Sequence, residues 1–219
     1  MCVRTSAAWA ALPAPRRCRR RLPPCAARRS RLPLCPRRAQ AAEDYRDLVN
    51  LQGAYGYYVD KGLWDEAAAL FAEHGTLEIA GRGVYVGRER VRAYLRHLPP
   101  YGHGTIYNHM QLQPVLHIDS EAGTARGRWR TLMMVGFLGR EGRWGEATYE
   151  NEYLREDGRW RIAKLHGVIN FYAEYDEGWH RGGVPLLRSI EGLAPDRPPS
   201  LDYEAFPEPV IAPFHYDEV

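Results

Sequence analysis

Between Asp44 and Val59 the apolar residues Leu48, Leu51, Tyr55 and Tyr58 recur three or four positions apart, the spacing of one face of an α-helix. Asp44 is placed to cap that helix and Lys61-Gly62 to end it. The spacing resumes through Trp64, Ala67, Ala68, Leu70 and Phe71, which predicts a second short helix over 63–73, closed by His74-Gly75. A strand over 76–79, a glycine-rich turn and a third helix over about 88–97, with Val91, Tyr94 and Leu95 turned inward, follow. Beyond Pro99 the pattern changes to alternation. Segments 107–118, 123–138, 143–155 and 160–172 are long and strand-like, separated by the turn signals Asp119 to Gly123, Gly139 to Gly142 and Asp157-Gly158. Three helices followed by a four-strand antiparallel meander make an α+β domain. Such helices pack in the concave face of a strongly bent antiparallel sheet, a cone-shaped α+β barrel, and the open end of the cone is a central pocket.

The two ends of the chain lack either pattern. Residues 1–43 are an arm rich in Arg, Pro, Ala and Cys, with no apolar face sustained long enough to bury, and are expected to be disordered. Three accounts of the arm stay open: translated upstream sequence without a role, an organellar transit peptide, or a secretory signal with Ala39-Gln40-Ala41 as its cleavage-like mark. The expected location is the cytoplasm, or an organelle if residues 1–40 are a transit peptide. Residues 179–219, most clearly from Pro195, interleave prolines with Tyr203, Phe206, Phe214 and Tyr216. That density of proline excludes a helix, while the aromatics predict an extended strap lying on the domain, 44–178, or on a partner subunit.

Charge changes the picture once it is divided. The formal charge is +3, but residues 1–40 hold eleven arginines and no acid, so the remaining chain is acidic. An acidic body argues against a nucleic-acid-binding domain, which needs a basic face. All four cysteines (Cys2, Cys18, Cys25, Cys35) lie in the arm without zinc-ligand spacing, so no thiol chemistry is expected of the domain. No run of about twenty apolar residues predicts a membrane span.

Several short strings resemble the SnoaL-like families of the nuclear transport factor 2-like superfamily, which include scytalone dehydratase, the hexachlorocyclohexane dehydrochlorinase and polyketide cyclases. The strings are Tyr57 to Trp64, Leu70 to Leu77, Gly83 to Gly87, Asn108-His109, and Tyr149 to Tyr153 with Asp157 to Ile162. Each is weak alone; their order and spacing over about 130 residues carry the resemblance. In the dehydratase and dehydrochlorinase branches an aspartate at the end of the first helix holds a histidine on the first long strand. The matching positions here are Asp60 and His109.

The chemistry of such a pair stands on its own. Removing a proton next to an acidified carbon needs a base with a pKa near neutrality, which histidine supplies, and a buried carboxylate fixes its tautomer and stabilises its protonated form. The same two residues could equally be a helix-ending carboxylate and a hydrogen-bonded core histidine. Other positions depart from the resemblance: Leu165 stands where the dehydrochlorinase has an arginine, Tyr55 where it has a lysine, Tyr149 where the dehydratase has an asparagine, and Gly81 where it has a tyrosine. A different substrate, or no chemistry, is therefore implied. The remaining cavity candidates are Phe71, Trp129, Met133, Ala147, Asn151 and Leu165, with Ala147, Tyr149 and Asn151 sharing one strand face by alternation.

His117 at a strand end, and His166 four residues before Asn170, lack the further ligands a metal would need, and Gly81 to Gly83 and Gly102 to Gly104 lack the context of a phosphate loop. No metal and no cofactor are expected. The sequence thus favours a cofactor-independent lyase or isomerase of dehydratase, hydratase or cyclase type acting on a small cyclic or aromatic compound. His109 would be its general acid/base, Asp60 the residue that orients His109, and Tyr55 or Tyr149 the group that polarises a substrate oxygen. The alternatives are a non-catalytic binder of a small apolar ligand and an assembly module. A homodimer through the sheet is the expected oligomer.

Overall fold

The computed structural model describes residues 36–217; the arm through residue 35, with all four cysteines, lies outside the described residues. The first helix, α1, runs Pro36–Asp60 and so begins well before Asp44. Pro36 sits at the first helical position, where a missing N–H costs nothing, and Arg37 to Glu43 are good helix formers. Asp44 is accordingly not a cap. It is a buried helical residue that accepts hydrogen bonds from Trp160 Nε1 at 3.0 Å and Gln40 Nε2 at 3.0 Å and pairs with Arg155.

The second helix, α2, is shorter than its pattern suggested, Trp64–Ala69, because the chain from Phe71 is taken up as a strand. Strand β1 (Phe71–Ile79) is followed by β2 (Val84–Val86), helix α3 (Arg88–Arg96) and four long strands: β3 (Thr105–Asp119), β4 (Thr124–Phe137), β5 (Glu141–Glu156) and β6 (Arg159–Glu174). Together they form one six-stranded sheet in the order β2-β1-β6-β5-β4-β3. The meander β3 to β6 is antiparallel, but β1 lies parallel to β6, with Leu77 opposite Leu165. The sheet is therefore mixed, and it is open: β2 and β3 remain as separate edges rather than closing a barrel.

Bending comes from identifiable irregularities. Between the pairs Leu112–Arg130 and Val115–Arg128, Gln113 and Pro114 together face a single residue of β4, and Gln113 takes φ of 46°. Such a bulge turns a strand sharply and increases its twist. Two further register shifts separate β5 from β6, at Glu146/Ala147 and Glu152/Tyr153. The helices fill the resulting concavity. Leu48, Leu51, Tyr55 and Val59 of α1, and Val91, Tyr94 and Leu95 of α3, pack against Trp129, Tyr149, Tyr153, Ile162 and Leu165 of the sheet.

Beyond β6 the chain makes one short turn of 3-10 helix (Trp179–Arg181) and then runs without regular structure to residue 217. It is tied down repeatedly: Val184 N–H donates to Tyr172 O at 2.7 Å, Val84 and Arg197 form an isolated antiparallel bridge along the edge of β2, and Ser200 donates to the buried carboxylate of Glu78. Further on, Arg128 lies 3.6 Å from the ring of Phe214 while donating to Ala212 O, and Glu150 takes His215 Nδ1 at 2.9 Å. Among the described residues, no helix is long and apolar enough to cross a membrane.

Candidate active site

Asp60 is the last residue of α1 and His109 the fifth of β3, and the two elements can touch because Gly56 lies between them. A Cβ at Gly56 would meet Gln111 Cγ at 2.9 Å and His109 O at 3.2 Å, so a larger residue would require Gln111 to move and the strand backbone to give. With the helix close, Asp60 Oδ1 accepts the backbone N–H of His109 at 2.8 Å and lies 2.8 Å from His109 Nδ1. One carboxylate oxygen thus fixes both the strand and the ring. The carboxylate favours the tautomer with its proton on Nδ1, which leaves Nε2 as the nitrogen free to act on a ligand. Both side chains are largely withdrawn from solvent, Asp60 at 11% exposed and His109 at 17%.

His109 lines a partly open cavity of about 560 Å³ between the helices, the sheet and the segment after β6. Tyr55 and Val59 of α1, Tyr94 and Leu95 of α3, Met133, Val135 and Phe137 of β4, Ala147 and Tyr149 of β5, and Ile169 and Tyr172 of β6 form most of its wall. Tyr55 and Tyr149 meet edge to face at 6.4 Å. Burial pushes both phenols far above the ordinary tyrosine range, reinforced by neighbouring tyrosines and by the carboxylate of Asp60. Burial likewise pushes Tyr172 up to about 12. All three stay protonated at any physiological pH; Tyr172 donates to Met133 Sδ at 3.6 Å, and Tyr55 and Tyr149 present hydroxyls to whatever occupies the cavity.

Not every expected residue reaches this space. Tyr55, Tyr149, His109, Met133 and Ala147 line it; Phe71, Trp129, Asn151 and Leu165 do not. Phe71 and Leu165 are wholly buried where β1 meets β6. Trp129 donates its indole N–H to Tyr153 Oη at 2.8 Å, and Asn151 donates to Gln52 Oε1 at 3.0 Å, in a closed polar cluster beyond the cavity floor. Alternation does put Asn151 on the face of Ala147 and Tyr149. It sits too far along the strand to see the cavity.

Conversely, Arg82, Tyr94, Tyr107, Tyr172 and the segment Val184 to Ile190 line the cavity and were not singled out from the sequence. Tyr172 was reachable by continuing the alternation of its strand. The contribution of 184–190 had no local signal, since its exposed and half-buried residues alternate only because the domain lies beneath it. Among the described residues, no group of three or more His, Cys, Asp or Glu side chains is arranged to hold a metal.

Comparison with known proteins agrees with this architecture. The sequence pattern that defines the SnoaL-like domain matches residues 40–166. No curated protein matches the chain by sequence. Among solved structures, similar ones include a candidate scytalone dehydratase from Novosphingobium aromaticivorans, 19% identical over 70% of this chain and 97% of that one, with a TM-score of 0.57. A hexachlorocyclohexane dehydrochlorinase of type 3 from Novosphingobium barchaimii is 21% identical over 67% of this chain and 98% of that one, with a TM-score of 0.56. A protein of unknown function from Mycobacterium tuberculosis is 20% identical over 61% of this chain and 75% of that one, with a TM-score of 0.53. At these identities the likeness is one of fold.

Proposed function

The chain belongs to the SnoaL-like domain family, and on that footing we propose that it is a cofactor-independent lyase or isomerase, of dehydratase, hydratase or cyclase type, acting on a small cyclic or aromatic compound in the cavity. The observation that carries the reading is the carboxylate of Asp60 shared between the backbone and ring nitrogens of His109, at 2.8 Å each, with the ring on the cavity wall. Similar folds in a dehydrochlorinase and a candidate dehydratase lend it support.

In a dehydration, His109 Nε2 would take the proton from a carbon next to a carbonyl. The released electron pair moves onto the carbonyl oxygen, where the Tyr149 or Tyr55 hydroxyl donates to the developing charge. Collapse of the enolate forms the C=C bond and breaks the C–O bond of a β-hydroxyl, which leaves as water with the proton returned from the imidazolium. Asp60 keeps its charge throughout and stabilises the imidazolium between the two steps. Hydration is the same path reversed. Met133, Ala147 and the tyrosine rings contact the apolar body of the substrate.

Leu165, buried in the core, leaves the dehydrochlorinase's arginine position without a charged group, so the group expelled in this reading is a hydroxyl, leaving as water, rather than a halide. The test is a panel of cyclic β-hydroxy ketones, followed by the absorbance of the new enone, with wild-type protein and His109→Gln. Turnover in the wild type and a loss of about 10²- to 10⁴-fold in the variant, with unchanged thermal unfolding, is the expected result. Equal rates in both proteins remove His109 from the chemistry.

A second reading is favoured by the segment 184–190 that walls the cavity: a non-catalytic carrier that retains its ligand. Tight binding without conversion across the panel would select it. Homodimerisation through the outer sheet face, where Ile106, Leu112 and Met134 are exposed, is part of either reading, and sedimentation as a lone monomer would remove it.

A further inference from the structure

The turn between β1 and β2 places Arg82 on the wall of a largely apolar and phenolic cavity, whose lining also includes Glu141, Arg143, Glu191 and two histidines. Ala80, Gly81 and Gly83 of this turn take positive φ values of 57°, 67° and 93°, and Arg82 lies between the two glycines. The turn is pinned from outside, since a Cβ at Gly83 would meet Pro195 at 2.5 Å. The Arg82 guanidinium donates through Nη1 to Tyr94 Oη at 2.7 Å and through Nε to Leu187 O at 2.9 Å. Both acceptors are neutral. Among the described residues no carboxylate comes within 4.0 Å of this guanidinium.

Several other arginines packed on the domain are paired with carboxylates. Arg143, at the same rim, bridges Glu141 and Glu174; Arg88 takes Glu156, Arg90 takes Asp196 and Arg155 takes Asp44. The carboxylate of the rim without such a partner among the described residues, Glu191, is on the exposed side of the strap, where water screens it. Arg82 is half-buried and carries five N–H donors, of which two are engaged. A guanidinium held against an apolar cavity by neutral groups alone keeps both an uncompensated charge and unfilled donors. Its planar fork is matched best by a carboxylate.

We propose that Arg82, with Tyr94 beside it, is the specificity-determining residue of the cavity and selects a cyclic or aromatic ligand that bears a carboxylate. The proposal rests on the reading of the cavity as a ligand site and is independent of whether His109 performs chemistry there. Because the same guanidinium holds Leu187 O, the segment 184–190 would close over a ligand whose charged end is already fixed.

The experiment is a calorimetric or fluorescence titration of the full chain with 2-naphthoate and with its neutral isostere 2-naphthamide. The wild-type protein is expected to bind the naphthoate at least roughly tenfold more tightly, the effect of one added charge-assisted pair. Arg82→Gln brings the two affinities within about twofold, whereas Arg159→Gln, which removes the same charge from an exposed site away from the cavity, preserves the preference. Because binding of the two probes is read without turnover, loss of the chemistry and loss of the anion site are told apart. Equal binding of the two probes by the wild type, binding of neither, or a preference that survives in Arg82→Gln overturns the proposal. The wild-type comparison stands even if Arg82→Gln fails to fold.

Discussion

The same four elements, α1, β3, β4 and β5, build two regions of the interior that treat buried polar groups in opposite ways. At the closed end, Gln52 accepts from Asn151 at 3.0 Å and from Tyr153 at 2.8 Å and donates to Gln111 at 2.8 Å, while Trp129 and Asn151 both donate to Tyr153. Every side chain of that cluster has found a protein partner. At the cavity end, one to two turns along the same helix, Tyr55 and Asp60 face Tyr149 and His109, and hydrogen-bonding capacity is left over: among the described residues Nε2 of His109 and the Tyr55 hydroxyl have no hydrogen-bond partner, and the Tyr149 hydroxyl has only Gln111. Buried polar groups are costly when unsatisfied, so saturation marks structure and deficit marks a place where something else is meant to bind.

The largest effect that would sharpen this division is on turnover. His109→Gln should lower it by about three orders of magnitude with little change in melting temperature, since among the described residues its ring makes no hydrogen bond beyond that to Asp60. Tyr149→Phe should lower it by about two orders of magnitude, the usual cost of losing an oxyanion donor. Its stability should stay within about 0.5 kcal/mol, because Gln111, the group that steadies the hydroxyl, is itself held by Gln52 and His109. A large loss of stability in either variant would move that residue to the structural side.

Much of the contrast was legible before the structure. The fold followed from period changes, and Asp60, His109, Tyr55 and Tyr149 all reach the cavity region because helix face and strand alternation decide which way a side chain points. Depth was not legible. Ala147, Tyr149, Asn151 and Tyr153 share one face of β5, yet the first two line the cavity and the last two close the opposite end. Where along the strand the cavity stops is set by Gln52 and Trp129, on elements far away in sequence. Arg82 and residues 184–190 were hidden for the same reason: a turn and an irregular segment acquire a role only through what they cross. The parallel pairing of β1 with β6 was also out of reach, since Phe71 completes a helical pattern as readily as it begins a strand.

From the saturated end, Gln52→Leu should break the comparison if it is wrong. Leucine leaves Tyr153 without its acceptor and Gln111 without its donor, which should cost about 2–3 kcal/mol in urea unfolding. Turnover per folded molecule should stay within a few-fold. Loss of turnover without loss of stability would mean that the cluster serves the site, through the bond from Gln111 Nε2 to His109 O at 2.8 Å.

The smallest effect separates charge from hydrogen bonding at the same end. Burial opposes ionisation of Asp44, but Ser120, Trp160, Gln40 and the charge of Arg155 outweigh it and hold the carboxyl below its ordinary value of 3.8. A carboxylate with a depressed folded pKa contributes stability that is full above the unfolded value and drains away as pH falls through the folded one. Wild-type melting temperature should therefore begin to drop below about pH 4, in part through this group. Asp44→Asn keeps an oxygen for the Trp160 indole and loses only the charge facing Arg155, so it should cost about 1–2 kcal/mol at neutral pH. The two proteins should converge as the pH is lowered. A deficit that persists unchanged near pH 3 would mean that the substituted amide disturbs the packing of α1 on Trp160, and that the charge of Asp44 is incidental to the closed end.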